Sequence, residues 1–133
     1  MPYHFDFDSA NRIIRCQFEG QVTDEEFKEY YREAPKYVAL TSPLAGIADF
    51  SEVSAFEVTP ETLRELARST PIMPDPILPR FVVAPSPLIF GFARMFQILG
   101  EETRPNLHVV KTSDEAFEML GAEKPKFEPI AVK

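Results

Sequence analysis

The chain has no tryptophan, a single cysteine and only five glycines in 133 residues. One cysteine, Cys16, cannot close an internal disulfide, which fits a reducing compartment. The glycines are scattered, so the sequence has no Gly-rich loop of the kind that cradles phosphate. Basic residues are also scarce: fourteen Lys and Arg face twenty-one Asp and Glu, a net charge of −7. That sign repels phosphate backbones and anionic bilayers, and no Lys/Arg cluster overrides it, so nucleic acid is not expected as a partner. No apolar run approaches the ~20 residues a membrane span requires. The opening "MPYHFDFD" lacks the basic and then apolar order of a signal peptide, and a cytoplasmic location is expected. The two histidines, His4 and His108, stand in no spaced ligand pair, so no metal and no cofactor is expected.

What is present reads as one globular domain over residues 1–133, with 44% apolar and 26% charged residues. "YHFDFD" and "RIIRCQFEG" alternate with a period of two around "SAN", a hairpin pattern that places Tyr3, Phe5 and Phe7 with Ile14, Cys16 and Phe18 on one face. "VTDEEFKEYYREA" starts a helix: Thr23 caps it, Glu26 completes a capping box and Val22 staples onto Phe27. Pro35 is expected to break or kink it. "LAGIADF" reads as a central, doubly covered strand. "VTPETLRELARST" repeats the helix-start pattern with Thr59 as cap and Pro60 in the first helical position. "PIMPDPILP", with four prolines in nine residues, is a stiff connection. "RFVVAP" and "LHVVK" are strands, "PSPLIFGFARMFQILG" and "TSDEAFEMLG" are helices, and the tail 122–133 is expected to be loosely held. The order ββαβαβαβα argues an α/β domain with a mixed sheet of about five strands and about four helices.

This order, carried by "EGQVTDEEF", "GIADFSEVSAF", "RFVVAPSPLIFGFARMFQILGEE" and "LHVVKTSDEAFEML", resembles the SpoIIAA-like group of the STAS superfamily across residues 5–120. "GFARMFQ" is the most distinctive piece. The resemblance implies a STAS-like fold and a bacterial protein-interaction or regulatory role, the first members described being anti-sigma-factor antagonists. It also points to a phosphorylated serine at a helix start. Residues 57–60 occupy that region here, Val58 stands at the serine position, and Thr59 beside it is the nearest candidate for phosphorylation.

Catalytic chemistry finds little footing. A Cys16–His108 nucleophile pair requires both side chains on one sheet face. Ser86 follows a strand and opens a helix, but "APSPL" has prolines where a nucleophile elbow needs glycines, and a cap role with Pro87 next to it accounts for the residue. Asp49, at the end of "LAGIADF", reads as a turn former. No base, nucleophile and oxyanion donor assemble, and a non-enzymatic role is expected.

Helix 86–99 is apolar almost all the way round. Stepping ~100° per residue sorts Leu88, Ile89, Phe92, Met95, Phe96 and Leu99 into an inner arc. Phe90, Ala93, Arg94, Gln97 and Ile98 fall outside it, with Phe90, Arg94 and Ile98 forming a stripe at i, i+4 and i+8. Three uses of the second face compete. The tail or the proline-rich loop could cover it. A protein partner, most simply a second copy in a homodimer, could dock on Phe90, Arg94, Gln97 and Ile98. A lipid or other apolar small ligand could lie between this helix and loop 71–79, against Ile72, Met73, Ile77, Leu78 and Phe90; the distant fold similarity of such proteins to CRAL-TRIO lipid-binding domains adds to that reading.

Overall fold

In the computed structural model, which describes residues 2–130, the alternating N-terminal segments pair as an antiparallel hairpin. β1 (Tyr3–Asp8) lies against β2 (Ile13–Thr23) with Asp8 opposite Ile13 and Phe5 opposite Cys16. Asp8 sets the turn by accepting from the backbone N–H groups of Ala10 and Asn11 and from the Asn11 side chain. The apolar face expected for both strands is the buried one: Tyr3, Phe5, Ile14, Cys16 and Phe18 all belong to one core.

The capping box of Thr23 and Glu26 forms as read and opens α1 (Asp24–Thr41). The expected break at Pro35 does not occur: the helix runs through it. The ring removes one hydrogen bond, but packing holds the following turns, Tyr37 stacking on Phe5 with centroids 4.1 Å apart. β3 (Ala45–Glu57) is almost twice the length expected, because it stays paired with a long β2 out to Thr23 opposite Glu57. The pairing is irregular between Gln17 and Glu19 and between Gly20 and Gln21, where Gly20 takes φ +69.

The remaining elements follow the expected order: α2 (Pro60–Arg68), β4 (Arg80–Val83), α3 (Pro87–Leu99), β5 (Leu107–Val110) and α4 (Ser113–Leu120). Thr59, Ser86 and Thr112 cap α2, α3 and α4 through their hydroxyls. A sixth strand, β6 (Glu128–Pro129), pairs antiparallel with β1. The tail from residue 122 is therefore not loose as far as Ile130, whose N–H reaches Phe5 O, and Phe127 is held under the Arg15 guanidinium at 4.0 Å. Residues 131–133 of the tail lie outside the described residues.

Among the described residues the domain thus has a mixed sheet in the order β5-β4-β3-β2-β1-β6, parallel from β2 to β5, with four helices. α1, α2 and α3 cover one face around an aromatic core that includes Phe18, Phe27, Tyr30 and Phe50. α4 covers the other, over Ile13, Ala45, Ile47, Phe81, Val83 and Val110.

Candidate functional site

The parallel register aligns two rows of side chains beneath the three-helix layer. Ile14, Gly46, Arg80 and Leu107 form one row; Phe5, Cys16, Ala48 and Val82 form the next. The middle of this floor is low, because position 46 has no side chain and position 48 only a methyl group. Above it lies an apolar cavity of about 120 Å³, walled by Tyr31, Ala34 and Val38 of α1, Ile89, Phe92, Ala93 and Phe96 of α3, and Ile72 and Met73. Ala48 and Val82 sit in two interior strands covered on both faces, where full burial is the norm, yet both are only half-buried. Close packing elsewhere on this face makes the void a local feature of the floor.

Loop 71–79 forms one wall, though not as expected. Ile72 and Met73 line the cavity; Ile77 is 78% exposed, and Leu78 packs on the core without reaching the void. The cause is Arg80, which donates to the carbonyls of Met73 (2.8 Å), Asp75 and Leu78. Those carbonyls turn inward, a bend forms at residues 75–78, and the Ile77 side chain is sent outward. Met73 rests on bare Gly46, its Cε 3.0 Å from where a Cβ would stand.

Arg104 closes the same cavity. It is 3% exposed and donates to the carbonyls of Leu66, Ala67 and Ser69 at the end of α2, and to the Thr103 hydroxyl. Its guanidinium lies 4.9 Å from the Phe96 ring centroid. Burial lowers the Arg80 pKa, and the charge of Arg104 lowers it further. Burial raises Tyr31 to about 12 against the opposing pull of Arg104, which faces its hydroxyl. Burial, seconded by the Asp6 charge, pushes the Cys16 thiol up, so it is a poor nucleophile where it lies on the cavity floor.

The expected outer stripe of α3 is rotated. Ile89, Ala93 and Phe96 are the buried positions, while Leu88 and Leu99, assigned inward, are 57% and 45% exposed. Phe90 is half-buried against the core, with Lys111 Nζ 5.7 Å from its ring centroid, and it does not line the cavity. Gln97 donates to the Leu107 carbonyl at 2.7 Å and ties α3 to β5. Arg94 and Ile98 do face solvent, so the outward apolar strip is Leu88, Gly91, Ile98 and Leu99, edged by Arg94. The rotation follows from α3 contacting α2 as well as β5, which draws Phe92 toward Phe56 of β3, centroids 5.3 Å apart.

Thr59 is fully occupied. Its hydroxyl accepts from Thr62 N–H and donates to Asp24 at 2.9 Å, and its own N–H donates to Asp24 at 2.7 Å. A phosphoryl group there meets a carboxylate neighbour. Val58 is 3% exposed in the core. Cys16 and His108 lie on opposite faces, because Cys16 shares a row with Val109's neighbour Val82 while His108 stacks on Phe81 at 5.1 Å. Asp49 is no turn former: it is buried mid-strand and accepts from Ser51 and Ser113. Among the described residues no three His, Cys, Asp or Glu converge as metal ligands, and no helix is long and apolar enough to cross a membrane.

The chain is similar in structure to the Bacillus cell fate determinant SpoIIAA in its phosphorylated form. The two share 15% sequence identity with a TM-score of 0.49, over 89% of this chain and 98% of that one. No protein-family model and no curated protein matches the sequence. A likeness of that degree assigns no role to any residue described above.

Proposed function

We propose that the protein is a non-enzymatic binding module that holds a small apolar ligand over the centre of its sheet. The observation that carries this reading is the cavity itself: a void of about 120 Å³ above Gly46, Ala48 and Val82, walled mainly by apolar side chains of α1, α3 and Met73, with Arg80 and Arg104 also in its lining. An apolar cavity near ~150 Å³ stays dry and accepts a benzene-sized guest, so the space is matched to a single ring or a short chain. A wall made by a loop rather than a helix supplies an entry route, since Ile72 and Met73 stand on the segment between α2 and β4. Gentle purification followed by mass spectrometry of the extract tests the reading. An apolar molecule that accompanies the wild type and is lost with Ala48→Leu supports it; repeated absence from the wild type contradicts it.

A second reading, a regulatory partner surface used for homodimerisation, is favoured by the outward strip of α3. Leu88 and Ile98 expose more than half their surface, and Gly91 between them has open space around its α-carbon. Small and branched apolar residues edged by Arg94 suit a helix pair. Light scattering at tens of micromolar checks it: a dimer that becomes monomeric in Leu88→Glu with Ile98→Glu is the expected outcome, and a monomeric wild type sinks it.

A further inference from the structure

Two arginines stand in the wall of an apolar cavity with no carboxylate in ion-pair contact, the Asp75 charge acting on Arg80 only from a distance. Arg80 occupies a floor position, in register with Gly46 and Leu107, where the neighbouring strands place apolar or absent side chains. Arg104 closes the end nearest Phe96 and Tyr31. Among the described residues, the ion pairs are Arg15–Asp6, Lys28–Glu65, Lys36–Glu33 and Lys126–Glu128, and neither cavity arginine is in them.

Both side chains have structural work, but that work does not need their charge. Every partner of Arg80 and Arg104 is a carbonyl or a hydroxyl. A neutral amide donates to carbonyls without the cost of holding a cation out of water, whereas two unneutralised guanidinium groups in one apolar space also repel each other. The donor inventory leaves something over as well. A guanidinium has five N–H groups. The Nε–H of Arg104 and one Nη1–H of Arg80 take no part in the bonds above, and the Tyr31 hydroxyl stands beside Arg104.

We propose that the ligand is a small amphiphile bearing a carboxylate, with its chain or ring over Ala48 and Val82 and its carboxylate held between Arg104, Arg80 and the Tyr31 hydroxyl. The inference rests on the cavity being a ligand site. A planar monoanion suits one N–H from each guanidinium plus one hydroxyl; a dianionic phosphate asks for a larger donor shell than these three groups provide. The volume of about 120 Å³ restricts the apolar part to about five carbons, by comparison with the ~150 Å³ that holds benzene.

The test is calorimetric titration of the full chain at pH 7 with two probes of equal length, hexanoate and hexan-1-ol. The expected result is hexanoate binding at least tenfold tighter than the alcohol. Tyr31→Phe, which removes the hydroxyl that faces Arg104, narrows that preference several-fold, and Arg104→Gln abolishes it. Circular dichroism checks that Arg104→Gln folds; if it does not, the wild-type preference and its loss in Tyr31→Phe decide the matter. Equal binding of the two probes, or a preference untouched by Tyr31→Phe in a protein where Arg104→Gln also leaves it intact, overturns the carboxylate assignment and leaves the apolar cavity standing. Binding of neither probe overturns the cavity reading and the assignment with it.

Discussion

The two faces of the sheet solve the same problem differently. Under α4, the core is built from Ile, Val, Ala and Phe81 without a void among the cavities described, and its part-buried cation has a counterion: Arg15 makes two bonds to Asp6, while the Asp49 carboxylate is held by the N–H and hydroxyl of Ser51 and the hydroxyl of Ser113. Under α1, α2 and α3, the core is a pile of aromatic rings at one end and a void at the other, and its two buried cations have carbonyls in place of counterions. A filled face whose cation meets a carboxylate is built for stability. Unpaired cations beside unfilled volume in the same small domain are the marks of a face with something to receive.

The largest effect that sharpens this contrast lies in the aromatic pile. Phe18 is fully buried and stacks on Phe50 with centroids 4.5 Å apart. Phe18→Ala is expected to cost about 3–5 kcal/mol in urea unfolding. On the opposite face, Asp6→Ala leaves Arg15 without its bidentate partner, and a loss of about 1.5–3 kcal/mol is expected by the same measurement. Two alanine enlargements then separate the faces directly. Ala116, on the inner face of α4, is completely buried, so Ala116→Leu overpacks and costs about 1–3 kcal/mol. Ala48→Leu grows into the void and leaves stability unchanged or raises it by up to about 2 kcal/mol. If both enlargements cost the same, the two faces are equally packed and the contrast collapses.

The smallest expected effect concerns the link between the first two helices. Burial raises the Asp24 carboxyl, but bonds from Thr59 N–H, the Thr59 hydroxyl and Thr62, with Lys28 nearby, outweigh it and hold the pKa below the ordinary carboxylate range. A carboxyl depressed in the folded state adds stability that is complete above its unfolded pKa of about 3.9 and is lost as pH falls through the folded value. Asp24→Asn is therefore expected to lower stability slightly at pH 7, where the carboxylate's contribution is complete, and to flatten the acid limb so that wild type and variant converge as pH falls below about 4. An unaltered acid limb removes Asp24 from the account.

Local grammar was readable in the sequence because its causes are local. Thr23, Thr59, Ser86 and Thr112 cap helices for reasons contained within four residues, and the alternation of β1 and β2 marks the right inner face. Features set by partners far along the chain were not. The length of β3 depends on β2 running beside it, the docking of the tail depends on an open edge at β1, and helix continuity at Pro35 depends on Tyr37 finding Phe5. The α3 face differs from the sequence reading at Leu88, Ala93 and Leu99 because a helix with apolar residues on every side fits more than one inner arc; contact with α2 selects between them. The cavity wall was half legible, Ile72 and Met73 but not Ile77 or Leu78. Arg80 carried a faint signal: it shares the parity of Val82 in "RFVV", which places a charge on the inner face of an interior strand. Arg104, in the loop "EETRPNL", carried none.

The central claim is that the void above Ala48 is a binding site. The direct measurement is methyl NMR of the wild type and of Ala48→Leu during titration with hexan-1-ol. The account predicts saturable shifts at Ile14, Val38, Leu63 and Ile89 in the wild type and none in Ala48→Leu at equal stability. Absence of saturable shifts in the wild type, or the same shifts with the void filled, contradicts it.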